Sequence, residues 1–319
     1  MTQRILERGQ IETLASRSIP RVRLPGRADV FAQRATRLRA LARGNAIDGY
    51  LQFLAAIADA QQNAVGDFHP RLPSSEQIAR AAEFRMPPMP ASSWPRDQGW
   101  IGMLHHIAGA VGANTAMPEG VAKTCGRIAA TAHEQLEDQA DALLAATLES
   151  VDLAMAPFVM AALQVHWVAL TAAFANADSV KPLDVPGVCP LCGTLPVASI
   201  VRAQNPYQGY RYLHCALCAT EWHMVRVQCS HCGADSKHVA YHTLQAVEAN
   251  DEAAVKDAAL RAEACDECHG YRKIVYQEKD MMVDPVADDV ATLALDVLLA
   301  EKGFHRASGN PMLWQAAQD

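Results

Sequence analysis

Catalytic signatures are missing from this 319-residue sequence: it contains no G-x-S-x-G elbow, Walker A loop, G-x-G-x-x-G turn or H-E-x-x-H helix. That weighs against the hydrolases, nucleotidases, dinucleotide enzymes and metalloproteases built on those motifs. An apolar leader is missing too. The first twenty residues, MTQRILERGQIETLASRSIP, carry charges throughout and lack the hydrophobic region that export needs, so a reducing cytoplasm is the expected setting. Long hydrophobic runs are equally scarce. The stretch from Pro157 to Ala175 has no charged residue, but Gln164 and His166 sit at its middle, Ala makes up much of the rest, and no Lys or Arg flanks it closely. It predicts a buried central helix and no membrane insertion.

What is present is ample apolar material, 50% of residues, in a chain long enough for two domains. Charge is uneven. Residues 1 to 43 carry ten Arg against Glu7, Glu12 and Asp29, within a chain of net charge −7. Such a segment reads as a solvated basic arm, or as one whose Arg17, Arg21, Arg23 and Arg27 dock an acidic partner surface.

Apolar residues then recur at helical spacing: Val30, Phe31, Leu38 and Leu41, a break at Gly44-Asn45, and Ile47, Tyr50, Leu51, Leu54 and Ile57. After a Pro-rich stretch the pattern returns over Asp97 to Val111 and Glu119 to Ser150. The latter offers Ile128, Leu136, Leu143, Leu144 and Leu148 as core positions. The expected fold class is α+β, an all-α bundle followed by two small rubredoxin-like or zinc-ribbon metal modules and a C-terminal helix. The expected divisions are an arm at 1–27, the bundle at 28–177, a linker at 178–187 (DSVKPLDVPG), a first module at 188–226 and a second at 227–319. Short alternating runs at Pro196–Arg202, Tyr210–His214 and Trp222–Gln228 predict β-hairpins. Pro285 to Lys302 predicts a single amphipathic helix with Val286, Val290, Leu293, Val297 and Leu298 buried.

Eight of the nine cysteines form four C-x-x-C pairs: Cys189/Cys192, Cys215/Cys218, Cys229/Cys232 and Cys265/Cys268. This spacing lets both thiolates of a pair face one ion, and two pairs complete a tetrahedral shell. Gly193 and Gly233 directly follow the second cysteine of their pairs, where a knuckle turn needs positive φ, whereas the other two pairs lack that glycine. The chain therefore reads as two successive modules, 189/192 with 215/218 and 229/232 with 265/268. Iron and zinc both suit four thiolates, and spacing does not separate them. His214, His223, His231 and His269 are expected at the surface or behind the ligands. Cys125 is expected as a buried small hydrophobe and His105, His106 and His166 as ordinary helix residues.

The run RYLHCALCATEWHMVRVQCSHC, with Ala264–Cys268, Tyr276–Asp280, Val286–Asp289 and the N-terminal RSIPRVRLP, resembles the formate dehydrogenase accessory protein family, FdhE. The resemblance implies a cytoplasmic protein needed for active respiratory formate dehydrogenases, which contacts their catalytic subunit and binds two iron ions in rubredoxin-like sites. It implies an assembly factor or chaperone; the missing catalytic signatures make a non-enzymatic role the expectation, with a homodimer left open. Two other classes fit the residues less well. A zinc-ribbon nucleic-acid binder needs a basic surface, but residues 186 to 280 hold nine Lys and Arg against eleven Asp and Glu. A thiol-disulfide oxidoreductase should place C-x-x-C at the start of a helix within a βαβ unit, and no such unit is visible.

Overall fold

The computed structural model describes residues 19–66, 68–174, 180, 183–185, 187–226, 228–244 and 252–314. Its helical half opens with a pair, α1 (Val30–Ala42) and α2 (Asp48–Val65), joined where Gly44 takes φ +72° and the Asn45 carboxamide accepts from the Ile47 N–H. A short exposed helix, α3 (Ser75–Glu83), has no counterpart in the apolar pattern. Its signal is a capping box in which Ser74 and Gln77 satisfy each other's backbone N–H. Next come α4 (Gly99–Gly112), α5 (Glu119–Ala130) and α6 (His133–Ala145). The expected continuous element from Glu119 thus divides at Thr131–Ala132. Both residues are extended, and the Thr131 hydroxyl donates to the Arg127 carbonyl, a local bond that competes with helix propagation. Ile128, Leu136 and Leu143 are buried, Leu144 is half-buried, and the side chain of Leu148 lies outside those described.

At the centre of this half is α7 (Ala156–Ala172), buried at every position through Thr171, against α2, α4 and α6. The charge-free run is therefore a core helix, and among the described residues no helix is long and apolar enough to cross a membrane. Its polar residues are placed for specific partners. Gln61 donates to the Ala161 carbonyl and to Gln164, and Gln164 donates to the Ala216 carbonyl of a cysteine knuckle at 2.8 Å.

The C-terminal half is one sheet. Its strands are β2 (Pro196–Val201), β3 (Arg211–Cys215), β4 (Glu221–His223), β5 (Val239–His242), β6 (Leu260–Cys265), β7 (Gly270–Tyr276) and β8 (His305–Arg306). Counting β1 (Val22–Arg23), the order is β1-β4-β3-β2-β7-β6-β5, with β8 on the free side of β7's first residues. The alternating runs at Pro196–Arg202 and Tyr210–His214 are strands of the first module, as expected. Parallel pairing of β2 with β7, Ser199 opposite Ile274 and Val201 opposite Tyr276, joins the strands of the two modules in one sheet.

The described part of the expected arm is an edge strand of this sheet, with Val22 opposite Trp222 and the Pro20 carbonyl accepting from the Tyr212 hydroxyl. Its arginines are engaged within the chain: Arg23 lies 3.5 Å from Glu221, and Arg21 3.4 Å from His223 Nδ1. Arg27 donates to the Val65, Gly66 and Phe68 carbonyls at the C-terminal end of α2. Arg17 lies outside the described residues.

The expected C-terminal helix is two helices, α9 (Pro285–Ala291) and α10 (Leu293–Glu301), with α8 (Glu252–Asp257) preceding them in the chain. The break falls at Thr292, at φ −116° and ψ 38°, and buried Lys273 donates to the Asp289 and Thr292 carbonyls beside it. The break rotates the second half, so that Leu295 and Leu299 are buried while Val297 is 59% exposed. One hydrophobic core runs from Phe31 through α7 to the sulfurs of Cys189, Cys192, Cys215 and Cys218 and on to Val286. The helices and the first module therefore share their interior.

His166 on α7 is fully buried between Phe68 and Trp167, and among the described residues neither ring nitrogen has a hydrogen-bond partner. Burial lowers its pKa to about 4, below the ordinary imidazole value of 6.5. A group depressed on folding stabilises the native state fully above its unfolded pKa and loses that contribution as pH falls. Wild type should therefore lose up to about 3 kcal/mol relative to His166→Leu between pH 6.5 and 4. Urea unfolding of both proteins at each pH measures the difference. A constant gap would show that His166 does not stay neutral.

Candidate metal centres

The C-x-x-C pairs that open at Cys189, Cys215 and Cys229 occupy tight knuckles closed by their own backbone, the second through the Cys215 N–H donating to the Thr220 carbonyl. The Cys189 N–H donates to the Thr194 carbonyl and the Gly193 N–H to the Cys189 carbonyl. The same two bonds recur from Cys229 to Ala234 and from Gly233 to Cys229. The residue after the second cysteine has positive φ in all four knuckles: Gly193 (+76°), Ala219 (+56°), Gly233 (+81°) and His269 (+53°). Glycine marks this turn in two pairs only; in the others Ala219 and His269 adopt it against steric preference. Knuckle geometry is thus set by closure of the turn, with glycine easing it where present.

The topology brings the knuckles together in the two expected groups. Within Cys189, Cys192, Cys215 and Cys218, and within Cys229, Cys232, Cys265 and Cys268, the sulfurs all lie within 4.8 Å of one another. In the first group Cys189–Cys218 and Cys192–Cys215 are 3.6 and 3.4 Å apart; in the second, Cys229–Cys268 and Cys232–Cys265 are 3.9 and 3.8 Å apart. These separations far exceed a disulfide bond. They match the edge of about 3.8 Å that four sulfurs define around an ion at about 2.3 Å. The donor set is therefore one that can hold a tetrahedral thiophilic metal ion, and both groups can hold one.

Electrostatics point the same way. Burial and the neighbouring thiols push Cys189 well above the ordinary thiol range. Cys215 is held well below it, against burial, by hydrogen bonds from the other three cysteines and the Thr194 hydroxyl. In the second group burial helps push Cys268 up to about 12, while backbone N–H groups of Cys232 and His231 hold Cys229 down despite burial. Without a cation, one thiolate per cluster suppresses ionisation of others; a bound divalent ion removes that competition.

Hydroxyl and backbone groups orient the first set: Thr194 lies 3.2 and 3.0 Å from Cys192 and Cys215 Sγ, Thr220 lies 3.1 Å from Cys218 Sγ, and the Leu217 and Cys218 N–H groups reach Cys215. The helical half clamps these knuckles from outside. The Met89 and Ala91 N–H groups donate to the Leu191 and Cys192 carbonyls, and the Thr171 hydroxyl contacts the Cys218 carbonyl. Next to the cluster is a buried charge centre that no sequence pattern marked. Glu221, fully buried, takes Arg202, Arg23 and His214 Nδ1 as partners, and these hold its carboxyl below the usual range against burial. His214 is thus tied to a carboxylate and not to sulfur. His223 packs on Tyr210 and Tyr212, while His231 and His269 stand exposed at the knuckle tips of the second cluster. Cys125 is a buried thiol whose pKa burial raises.

An open cavity of about 1220 Å³ abuts Cys192–Leu195 and Ala216–Leu217. Its walls are mainly aliphatic, and its charges, Arg85 with Asp184 and Asp296 with Arg306, are paired within the chain.

The knuckle turns yield a graded prediction. Gly233→Ala should cost about 1–2 kcal/mol, the strain of an L-residue at positive φ. Gly193→Ala should cost more, because its Cβ would also meet Pro87 Cγ at 3.2 Å, whereas Gly233 faces open space. Denaturant unfolding of the two variants checks the order, which equal costs would refute.

Three family models match the chain in succession: FdhE N-terminal over residues 19–184, the FdhE central domain over 188–226 and the FdhE C-terminal domain over 227–313. The protein FdhE of Salmonella enteritidis PT4 is 37% identical over 308 residues, covering 97% of this chain and 96% of that protein. That of Salmonella paratyphi A is 37% identical over 313 residues. The crystal structure of the FdhE protein from Pseudomonas aeruginosa superimposes with a TM-score of 0.80 at 35% identity, covering 92% of this chain and 99% of that one. With all three domains matched in order and the fold shared along nearly its whole length, the chain belongs to the FdhE family.

Proposed function

We propose that the chain is an accessory factor for a formate dehydrogenase. It holds one metal ion in each four-cysteine cluster and uses the sheet that carries both clusters to engage the catalytic subunit in the cytoplasm, before export. The observation that carries this reading is the pair of sulfur-only clusters at tetrahedral edge lengths in an FdhE chain. Iron in rubredoxin-like sites is the reading adopted for the ions, with zinc as the alternative that the same donor set accepts. When bound, the ion crosslinks two distant knuckles and keeps reactive thiolates occupied. The chain's own residues supply the rest: Thr194 and Thr220 orient the first sulfurs, and the Met89–Ala91 segment and α7 hold the knuckle carbonyls. The role is non-catalytic. An oxidant that strips an ion would alter the docking surface without turnover, which makes the interaction responsive to redox conditions.

Anaerobically purified protein should contain two ions per chain by elemental analysis, with ferric thiolate charge-transfer bands in the visible spectrum if the metal is iron. Cys192→Ser and Cys232→Ser should each lower the content by one; a wild-type value of one, or loss of both ions from a single variant, would refute separate sites. Wild type should capture the formate dehydrogenase catalytic subunit in a pull-down, and Cys215→Ser/Cys218→Ser should capture several-fold less. Equal capture would overturn the claim that the cysteine modules organise the contact.

A further inference from the structure

The two clusters differ in their access to solvent. In the first, Cys189 and Cys218 are 0% exposed and Cys192 and Cys215 1%. That cluster is covered by α7 and the Met89–Ala91 segment, and where the open cavity approaches it at Cys192 that residue is still only 1% exposed. In the second, Cys265 is buried and Cys229 nearly so, but Cys232 is exposed and Cys268 half-buried. Both knuckle tips there, His231–Gly233 and Asp266–Glu267, face solvent.

The sulfurs of the second cluster also differ in what holds them. Backbone N–H groups of His231 and Cys232 reach Cys229, those of Glu267 and Cys268 reach Cys265, and that of Gly270 reaches Cys268. Cys232 Sγ lies 3.8 Å from Cys265 Sγ. Hydrogen bonds to a thiolate draw off charge and fix its direction toward an ion. Cys232 is the exposed cysteine of the four and is open to attack from solvent, so it is the ligand most easily displaced.

We propose that the second cluster is the chain's exchangeable metal site and that Cys232 is the thiolate a small thiol displaces, while the first cluster keeps its ion as long as the chain is folded. This rests on the reading that both clusters hold ions. In the exchange, a bond forms from the incoming thiolate sulfur to the ion as the bond from the ion to Cys232 Sγ breaks. Thiolate replaces thiolate, so the charge at the centre is unchanged, no electron moves, and the freed Cys232 thiolate takes a proton from water. Replacement at half-buried Cys268 then frees the ion from that side.

The test uses the full chain loaded anaerobically with two equivalents of zinc and challenged with glutathione in the presence of a chromogenic zinc chelator. One equivalent should leave at a rate proportional to glutathione, roughly tenfold or more faster than the other. In a parallel N-ethylmaleimide time course read by peptide mass spectrometry, Cys232 should be alkylated roughly tenfold or more faster than Cys189, Cys192, Cys215 or Cys218. Cys232→Ser should lose the fast equivalent and keep the slow one; if that variant does not fold, the wild-type alkylation order decides. Two ions leaving at one rate, release independent of glutathione, or first-cluster alkylation as fast as that of Cys232 would overturn the proposal alone. Failure of wild type to take up any zinc would instead overturn the metal-holding reading beneath it.

Discussion

Thiolates repel one another, and four of them brought within 4.8 Å in a buried site are compatible with a stable fold when a cation lies between them. In the first cluster that condition reaches into both halves of the molecule, because its sulfurs are part of the same apolar core as α7 and α2. The knuckles gain their outer hydrogen bonds from Gln164, Thr171, Met89 and Ala91, so their peptide groups are satisfied only when the helices are in place. Helices and sheet therefore order each other.

Buried charge fixes how the layers meet. Arg34 and Arg37 on α1 reach Asp284, Asp288 and Asp280 around the start of α9. Lys273 on β7 sits between Asp289 and Asp296, and Arg306 on β8 closes the same group, holding the Asp289 carboxyl below its ordinary range despite full burial. Arg211 on β3 meets Glu263 on β6 across the sheet, linking the first module to the second. Ion pairs of this kind add little net stability over apolar packing, but a mispaired register would strand a buried charge at a cost of several kcal/mol. They penalise any arrangement in which β2 and β7 do not lie side by side.

Much of the site was legible because its chemistry is local. Two thiolates three residues apart turn toward one point whatever surrounds them, and Gly193 and Gly233 announce their turns by the conformation they permit. Helical periodicity located α1, α2, α4 and α7 for the same reason, since one turn of helix reports its own buried face. Errors arose where a single side chain overrode the pattern. Thr131 ended a run of good helix formers through its own hydroxyl, and the Thr292 break turned Val297 outward and Leu295 inward.

Sequence alone determined the eight cysteines, their division into knuckles, the helical half and the buried character of Pro157–Ala175, all properties set within a few residues along the chain. Tertiary structure decided that β1 at Val22–Arg23 becomes a strand of the distant sheet, that β2 pairs in parallel with β7, and that one cluster is covered while the other faces solvent. The four C-x-x-C motifs are alike in spacing, so nothing in them encodes access. Exposure depends on which surfaces pack above a knuckle, and α7 covers the first while leaving the tips at Cys232 and Cys268 uncovered, because burial is a property of neighbours in space rather than in sequence.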